Sequence, residues 1–251
     1  MYHDAHVHLT FNRMLSKLSY YRERWEQAGI KSLQVMSMNL AQSKLGFELH
    51  EQDTIFTGAG KHPWKVKLPL TVEEQDAYEL LVRDSRCSII GEVGLDYHWI
   101  NKPERYPHQR DTFDFFISLA LETGKPINVH CKGAEMDILA ILRERGMDGN
   151  KVNIHWFSGP VEAMNKLVNL GCYFSIGPAV HYSKHRKTAE LVPLEQLLTE
   201  SDGDVRYREL DTRGEPAMIP QVVEKIAEIR EVTIEELKLQ LYDNAMSYLH
   251  V

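Results

Sequence analysis

Short apolar segments alternate with longer amphipathic segments along nearly the whole chain of 251 residues. The apolar segments predict strands at 2–8, 32–36, 54–60, 87–94, 126–130, 152–155, 172–176 and 197–199. Helical periodicity is found between and after them, at 15–28, 39–50, 71–84, 105–122, 135–145, 161–170, 185–192, 216–230 and 234–249. Strands that each precede a helix in this way are typical of a (β/α)₈ barrel, a TIM-type barrel, and the length of the chain suits one.

An open, doubly wound α/β sheet is the alternative architecture for this alternation. Such a sheet normally has a glycine-rich phosphate-binding turn after its first strand, and His8-Leu9-Thr10 is not a turn of that kind. No linker, repeat or low-complexity tract divides the sequence. We therefore expect one barrel domain that spans residues 1–251.

Composition excludes several classes of protein. There is no apolar run of about 18 residues, and the chain opens on a polar strand, so we expect neither a membrane span nor a signal peptide. The 3 cysteines are widely spaced, which fits the reduced thiols of a cytoplasmic protein. A net charge of −7 means that an anionic substrate has to be attracted locally rather than by the surface as a whole. No obligatory protein partner is indicated.

Two histidines end the first predicted strand. Because side chains alternate along a strand, His6 and His8 point to the same face and can bind one divalent metal ion from a rigid base. A polar edge strand with incidental histidines is the alternative interpretation. We prefer a metal site because further ligand-type residues follow at the ends of later strands.

Those later residues form one pattern at the carboxyl ends of the strands. Each of them alone can be explained as a satisfied polar group, but so many at strand ends are hard to obtain by chance. In a barrel these ends converge on one rim, where catalytic groups lie. Imidazoles mixed with carboxylates suit Zn²⁺, Mn²⁺ or Mg²⁺, and Glu92, in the middle of the strand order, is the natural bridge between two ions. The predicted ligands are His6, His8, Glu92, His130, His155 and Asp202.

The segments around these residues resemble the successive motifs of a known family, the TatD family of metal-dependent deoxyribonucleases, which belongs to the amidohydrolase-like barrels. The resemblance extends from residue 4 to the Asp243-Asn244-Ala245 segment. The matching motifs are His6-Val7-His8, Gly60-Lys61-His62-Pro63, Gly91-Glu92-Val93-Gly94-Leu95-Asp96, Val129-His130-Cys131-Lys132, His155-Trp156-Phe157-Ser158-Gly159 and Glu200-Ser201-Asp202.

The resemblance implies a division of labour among the predicted ligands. His6 and His8 hold one metal ion with Asp202, Glu92 bridges, and His130 and His155 hold the second ion. Two such ions can activate a water for in-line attack on a DNA phosphodiester, and Asp202 is then the expected proton acceptor. The family usually has Thr-Asp-x-Pro after the eighth strand, whereas this chain has Ser201-Asp202-Gly203-Asp204, a departure that bears on loop shape and substrate choice.

Two further residues are expected at the substrate. Lys132 can reach a phosphate, and His62 is expected either to contact substrate or to support the ligands, with a purely structural role as the equal alternative. Trp64, Trp99 and Trp156 lie beside the motifs, where they can stack on a base or pack in the core.

The same predicted site supports three functional hypotheses. The first is a deoxyribonuclease that acts as an exonuclease on single strands or chain ends. The second is a hydrolase of a small ester, amide or lactone on the same metal scaffold. The third is a protein that binds metal or a partner without turnover, which is disfavoured because no predicted ligand is replaced by a non-ligand residue.

Overall fold

The eight predicted strands form one parallel sheet in sequence order. We describe residues 1–250, apart from the side chain of Lys184, in a computed structural model. The strands are β1 Tyr2–Val7, β2 Ile30–Val35, β3 Ile55–Ala59, β4 Cys87–Asp96, β5 Ile127–Lys132, β6 Val152–His155, β7 Tyr173–Ile176 and β8 Leu197–Thr199. With helices between the strands, this arrangement confirms the predicted (β/α)₈ barrel.

The sheet closes into a barrel through the segment that follows β8. Thr199 donates its hydroxyl hydrogen to the His3 carbonyl oxygen, at 2.9 Å. Beyond the strand, the Asp202 amide donates to the His6 carbonyl (2.9 Å), and the His8 amide donates to the Gly203 carbonyl (2.6 Å). The seam therefore joins the end of β1 to the loop that carries Asp202.

The helices pack around the outside of the sheet. They are α1 Asn12–Leu15, α2 Leu18–Gln27, α3 Leu40–Phe47, α4 Val72–Arg83, α5 Tyr106–Thr123, α6 Glu135–Glu144, α7 Val161–Leu170, α8 Arg186–Leu191, α9 Ile219–Arg230 and α10 Ile234–Leu249. A hairpin of two short strands, β9 Arg206–Tyr207 and β10 Thr212–Arg213, follows β8. A capping box begins α4, with Thr71 and Glu74 exchanging hydrogen bonds.

The helix predicted over 15–28 is confirmed over Leu18–Gln27, but it does not extend back to residue 15 as predicted. The chain leaves the helical path between α1 and α2, at Ser16 and Lys17. The Ser16 hydroxyl donates to the Arg13 carbonyl oxygen, and such a local bond competes with the backbone hydrogen bonds that continue a helix.

Buried apolar side chains fill the space between the sheet and the helices, and a second cluster occupies the barrel itself. In that second cluster, Ala245, Tyr248 and Leu249 of α10 join Ala5 and Ile89 from the strands. The last helix thus packs as an extra cap on the barrel. The three cysteines are buried and free. Among the helices of residues 1–250, none has the length and hydropathy needed to cross a membrane.

Candidate metal centre

The six predicted ligands converge at the carboxyl rim of the barrel. All are buried, with at most 5% of their surface exposed. The Nε2 atoms of His6 and His8 lie 3.1 Å apart, and Asp202 Oδ1 lies 3.7 and 3.6 Å from them. The sequence thus brings together side chains that are up to 196 positions apart, because the strand ends meet at one rim. Their roles as ligands stay a prediction.

Glu92 lies between the two halves of this cluster. Its Oε2 is 3.5 Å from His6 Nε2 and 3.4 Å from His8 Nε2. Its Oε1 is 2.9 Å from His130 Nδ1 and 3.0 Å from His155 Nε2. One carboxylate therefore presents a different oxygen to each half, which is the geometry expected of a bridging ligand.

The local backbone explains why Glu92 points into the barrel. The β4–β5 register shifts between Ile90 and Val93, and such irregularities re-aim side chains. Backbone hydrogen bonds hold the shifted segment, from Ser37 to the Gly91 carbonyl and from Glu92 to the Ser37 carbonyl. Just beyond, a Cβ at Gly94 would lie 2.1 Å from the His130 carbonyl oxygen, so only glycine lets β4 and β5 approach here.

Hydrogen bonds fix which nitrogen of each N-terminal histidine faces the cluster. Asn128 Nδ2 donates to the Ala5 carbonyl, so its Oδ1 accepts from His6 Nδ1, at 2.9 Å. The Met36 carbonyl can only accept, and it lies 3.3 Å from His8 Nδ1. Both Nδ1 atoms therefore carry a proton, and in the neutral form of the two rings the Nε2 lone pairs face each other.

The other two predicted histidine ligands have buried carboxylates behind them. His130 Nε2 lies 2.9 Å from Asp96 Oδ2, so its Nδ1 lone pair faces Glu92. His155 Nδ1 lies 3.5 Å from Glu200 Oε2, which leaves Nε2 toward Glu92. Carboxylates in this position orient metal-binding imidazoles and raise their basicity.

His62 has the opposite arrangement. Its Nδ1 accepts the backbone N–H of Trp64, at 3.1 Å, at the start of a short 3₁₀ turn. Burial lowers the pKa of His62 to about 4, so the ring is neutral near pH 7. The proton of the neutral ring is then on Nε2, which lies 3.2 Å from both Glu92 Oε1 and His130 Nδ1. By distance alone His62 can complete a ligand group with Glu92 and His130. The proton on its Nε2, however, makes this nitrogen a hydrogen-bond donor rather than a metal ligand.

Asp202 is held by strained backbone at the seam. Its φ of 44° lies in the left-handed region, which costs a non-glycine residue about 1–2 kcal/mol. The seam hydrogen bond from its amide to the His6 carbonyl compensates for this strain. The carboxylate consequently points at the two N-terminal histidines.

The charges of the cluster act strongly on one another. Burial acts to raise the pKa of Glu92, but the surrounding imidazoles hold it well below the usual range. For His155, burial acts to lower the pKa, while Glu92 and Glu200 raise it to about 10. The cluster therefore keeps Glu92 ionised and favours positive charge beside it.

The donor atoms fit divalent metal ions. Three groups have one donor atom per residue within 4.8 Å of one another: His6–Glu92–His155, His6–His8–Asp202 and His62–Glu92–His130. In the neutral forms of His6 and His8, the facing Nε2 lone pairs cannot hydrogen-bond to each other. A cation satisfies such atoms, and mixed imidazole and carboxylate donors suit Zn²⁺ or Mn²⁺.

The cluster forms the floor of a cleft of about 1140 Å³. Lys132 lies on its wall, where its ammonium group donates to the Trp156 carbonyl and, at 3.0 Å, to the Ser158 hydroxyl. Burial lowers the pKa of Lys132. Lys132, the predicted substrate-binding residue, is thus held in place by hydrogen bonds at the wall of the cleft, beside the start of α7.

Three supporting residues were given no role in the sequence analysis. Asp96 ends the Gly91–Asp96 motif and was visible as a carboxylate at a strand end. Asn128 and Glu200 lie within or next to short buried strands, and a polar residue in such a strand is the signal that could have indicated them.

Comparison with known proteins finds relatives over nearly the whole chain. The sequence matches the family described as TatD related DNase over residues 3–250. It is 30% identical over 251 residues to the uncharacterized metal-dependent hydrolase YabD of Bacillus subtilis, covering 98% of this chain and 97% of that protein. It is 27% identical over 259 residues to a Pantoea ananatis protein named 3'-5' ssDNA/RNA exonuclease TatD, covering 96% of each. The structure of YjjV, a TatD homologue of Escherichia coli, matches with a TM-score of 0.88 at 20% identity, covering 100% of this chain and 98% of that one. The chain belongs to the TatD family of metal-dependent hydrolases.

Proposed function

We propose that this protein hydrolyses phosphodiester bonds of DNA, acting as an exonuclease on single strands or chain ends. The observation that carries the proposal is the position of Glu92, which shares its two oxygens between two donor groups at the floor of an open cleft. Two divalent cations held there supply a nucleophilic water at neutral pH and neutralise charge on the phosphate. The name of the Pantoea ananatis relative supports the same class of substrate.

In this proposal the ligands divide as the family resemblance implies. His6, His8 and Asp202 would hold one cation, His130 and His155 would hold the other, and Glu92 would serve both. Asp202 also accepts the proton of the attacking water, because its Oδ1 lies within 3.7 Å of the His6 and His8 nitrogens, at the edge of the first donor group.

His62 and Lys132 act on the substrate in the proposed reaction. The Nε2–H of His62 faces the cleft beside Glu92 and donates to a phosphate oxygen. The Lys132 ammonium, near the N-terminus of α7, attracts the phosphate group. Both groups are fixed by hydrogen bonds to neighbouring backbone, so they need little reorganisation as charge develops on the substrate.

The shape of the site favours single strands over intact duplexes. The floor is buried, and a scissile phosphate reaches it only by entering the cleft. A single strand can bend into such a cleft, whereas a closed duplex circle has to be locally melted first. We therefore expect single-stranded oligonucleotides to be better substrates than closed duplex circles.

The test uses protein reconstituted with Mn²⁺ or Zn²⁺ and supplied with end-labelled single- and double-stranded oligonucleotides. A panel of small esters, amides and lactones is run beside them. Stepwise shortening of the single strand is the expected result. If metal-loaded protein leaves the oligonucleotides intact and hydrolyses a small ester or amide, hydrolysis of small molecules on the same scaffold replaces the nuclease proposal.

A further inference from the structure

Two tryptophans line the cleft with much of their surface in solvent. Trp64 is 43% exposed and Trp99 is 66% exposed, and both line the cavity whose floor carries the predicted ligands. Of the two roles that the sequence leaves open for Trp99, packing in the core is excluded, because the residue lies exposed in the loop after β4. Exposed indole rings at the mouth of a polar site are a surface on which a flat ligand can stack.

Asp96 anchors both tryptophans next to the metal centre. Its buried Oδ2 accepts the indole N–H of Trp64, at 2.6 Å, as well as the Nε2–H of His130. Its Oδ1 accepts the backbone N–H groups of His98 and Trp99, at 3.0 and 2.7 Å. One carboxylate therefore fixes a predicted metal ligand, the ring of Trp64 and the turn that carries Trp99.

The ring of Trp64 lies close to the reacting centre. Its centroid is 6.2 Å from that of His130 and 5.1 Å from that of His62. Because the indole N–H of Trp64 is donated to Asp96, the ring offers a ligand only its aromatic surface. Such a surface stacks on any base and does not select among them.

The third tryptophan of the cleft differs from these two. The ring of Trp156 is stacked on Tyr207, with 5.3 Å between centroids, and the Lys132 ammonium lies 5.4 Å from its centre. Trp156 is thus already partnered by protein groups. That wall also carries Arg206 and Arg208, so cations and open aromatic faces lie on different parts of one cleft.

We propose that Trp64 and Trp99 form a nucleobase subsite, which stacks a base of the nucleotide whose phosphate is held at the metal centre. A ligand with a flat heteroaromatic ring and an attached anion matches both parts of the cleft, and a nucleotide has both. This inference rests on the proposed function. It adds that the enzyme binds bases by stacking on their flat faces, with little preference for sequence.

The first experiment compares two single-stranded decamers that have the same sugar-phosphate backbone. One carries thymine at every position and the other is abasic throughout. With metal-loaded protein, kcat/KM for the thymine decamer should exceed that for the abasic decamer about tenfold or more, because stacking on an aromatic side chain is worth that much per base. In Trp99→Ala the ratio should fall several-fold, while in Tyr20→Ala, which alters an exposed aromatic residue on α2 away from the cleft, it should stay as in the wild type.

Trp64 is tested by a pair of variants. Trp64→Leu should lower the same ratio, and Trp64→Phe should retain most of it, because a phenyl face can still stack although its hydrogen bond to Asp96 is lost. Equal loss in the two variants would exclude stacking as the role of Trp64. A wild-type enzyme that does not distinguish the decamers, or a Trp99→Ala variant that distinguishes them as well as the wild type, overturns the subsite.

A binding measurement separates failure of the subsite from failure of the proposed function. Tryptophan fluorescence of metal-loaded protein is titrated with thymidine 5'-monophosphate and with 2-deoxyribose 5-phosphate. The nucleotide should bind about tenfold tighter, and Trp99→Ala should remove most of that difference. If neither decamer is cleaved, the nuclease proposal fails and this titration alone decides on the subsite. Equal affinity of wild-type protein for the two compounds overturns it.

Discussion

The floor and the rim of the cleft are built in different ways. On the floor, His6, Glu92 and His155 are at least 97% buried and come from strands of the barrel. On the rim, Trp99 and Arg206 lie in a loop and a short hairpin and are largely exposed. The strand ends hold the floor side chains in well-defined positions, whereas the sequence and length of loops can change without disturbing the barrel. The floor therefore determines which bond chemistry is available, and the rim determines which molecule reaches it.

Within the floor, the histidines fall into two kinds. Hydrogen bonds to Asn128 and Asp96 take the outer protons of His6 and His130, so these rings turn lone pairs inward. His62 accepts a backbone N–H on its outer nitrogen and turns an N–H inward. Histidines on the same floor thus have opposite chemical roles. The difference comes from the hydrogen-bond partner of the outer nitrogen of each ring.

The largest effect is expected from Asp202→Asn, which removes the proposed proton acceptor from the floor. We expect kcat on a single-stranded oligonucleotide to fall about 10³-fold, within the range for loss of general-base catalysis. The far-ultraviolet circular dichroism spectrum should be unchanged. Asp76→Asn, on the exposed surface of α4, is the matched control and should keep wild-type kcat. A variant at Asp202 that keeps a tenth of the wild-type kcat would contradict the assigned role.

The next largest effect tests the difference between the two kinds of histidine. His62→Ala should lower kcat about 10²-fold, the cost of one donor to developing charge, while metal content by mass spectrometry stays near that of the wild type. His130→Ala should lose metal, and mainly at one of the two positions. Equal loss of metal in both variants would make His62 a ligand and remove the distinction.

Much of the floor could be predicted from the sequence, and its supporting network could not. The strand-helix alternation and the ligand types at strand ends suffice to place His6, Glu92 and His155 together at one end of the barrel, because barrel geometry makes strand ends converge. Asn128 and His6 are 122 positions apart, and no local pattern shows which buried polar groups face each other across the barrel. The tautomer of His62 depends on a short turn at Trp64, and the exposure of Trp99 depends on a loop, neither of which follows from hydrophobic periodicity.

A smaller effect is expected from the network itself. Asn128→Leu leaves the Nδ1–H of His6 without its acceptor in a buried position. We expect the affinity for Zn²⁺ to fall about 10- to 100-fold, as is usual when an outer partner of a metal-binding histidine is lost. Competition against a chelator measures this affinity directly. Activity should recover at high Zn²⁺, and if it does not, Asn128 has a structural role beyond orienting His6.

The smallest effect is expected at the rim, from the arginines of the hairpin after β8. Arg206 is paired with Asp211 at 2.6 Å, but both side chains are exposed, at 55% and 87%, and such a surface pair is weak enough to be exchanged for a phosphate. Arg206→Ala should raise KM for a single-stranded oligonucleotide a few-fold at low salt, leave kcat unchanged, and lower the slope of log KM against log salt by about one. Arg83→Ala, on the exposed face of α4, removes the same charge from a position outside the cleft and should leave both KM and the slope as in the wild type. If the two variants behave alike, the arginine acts only through the net charge of the protein, and the rim selects its substrate by its aromatic faces alone.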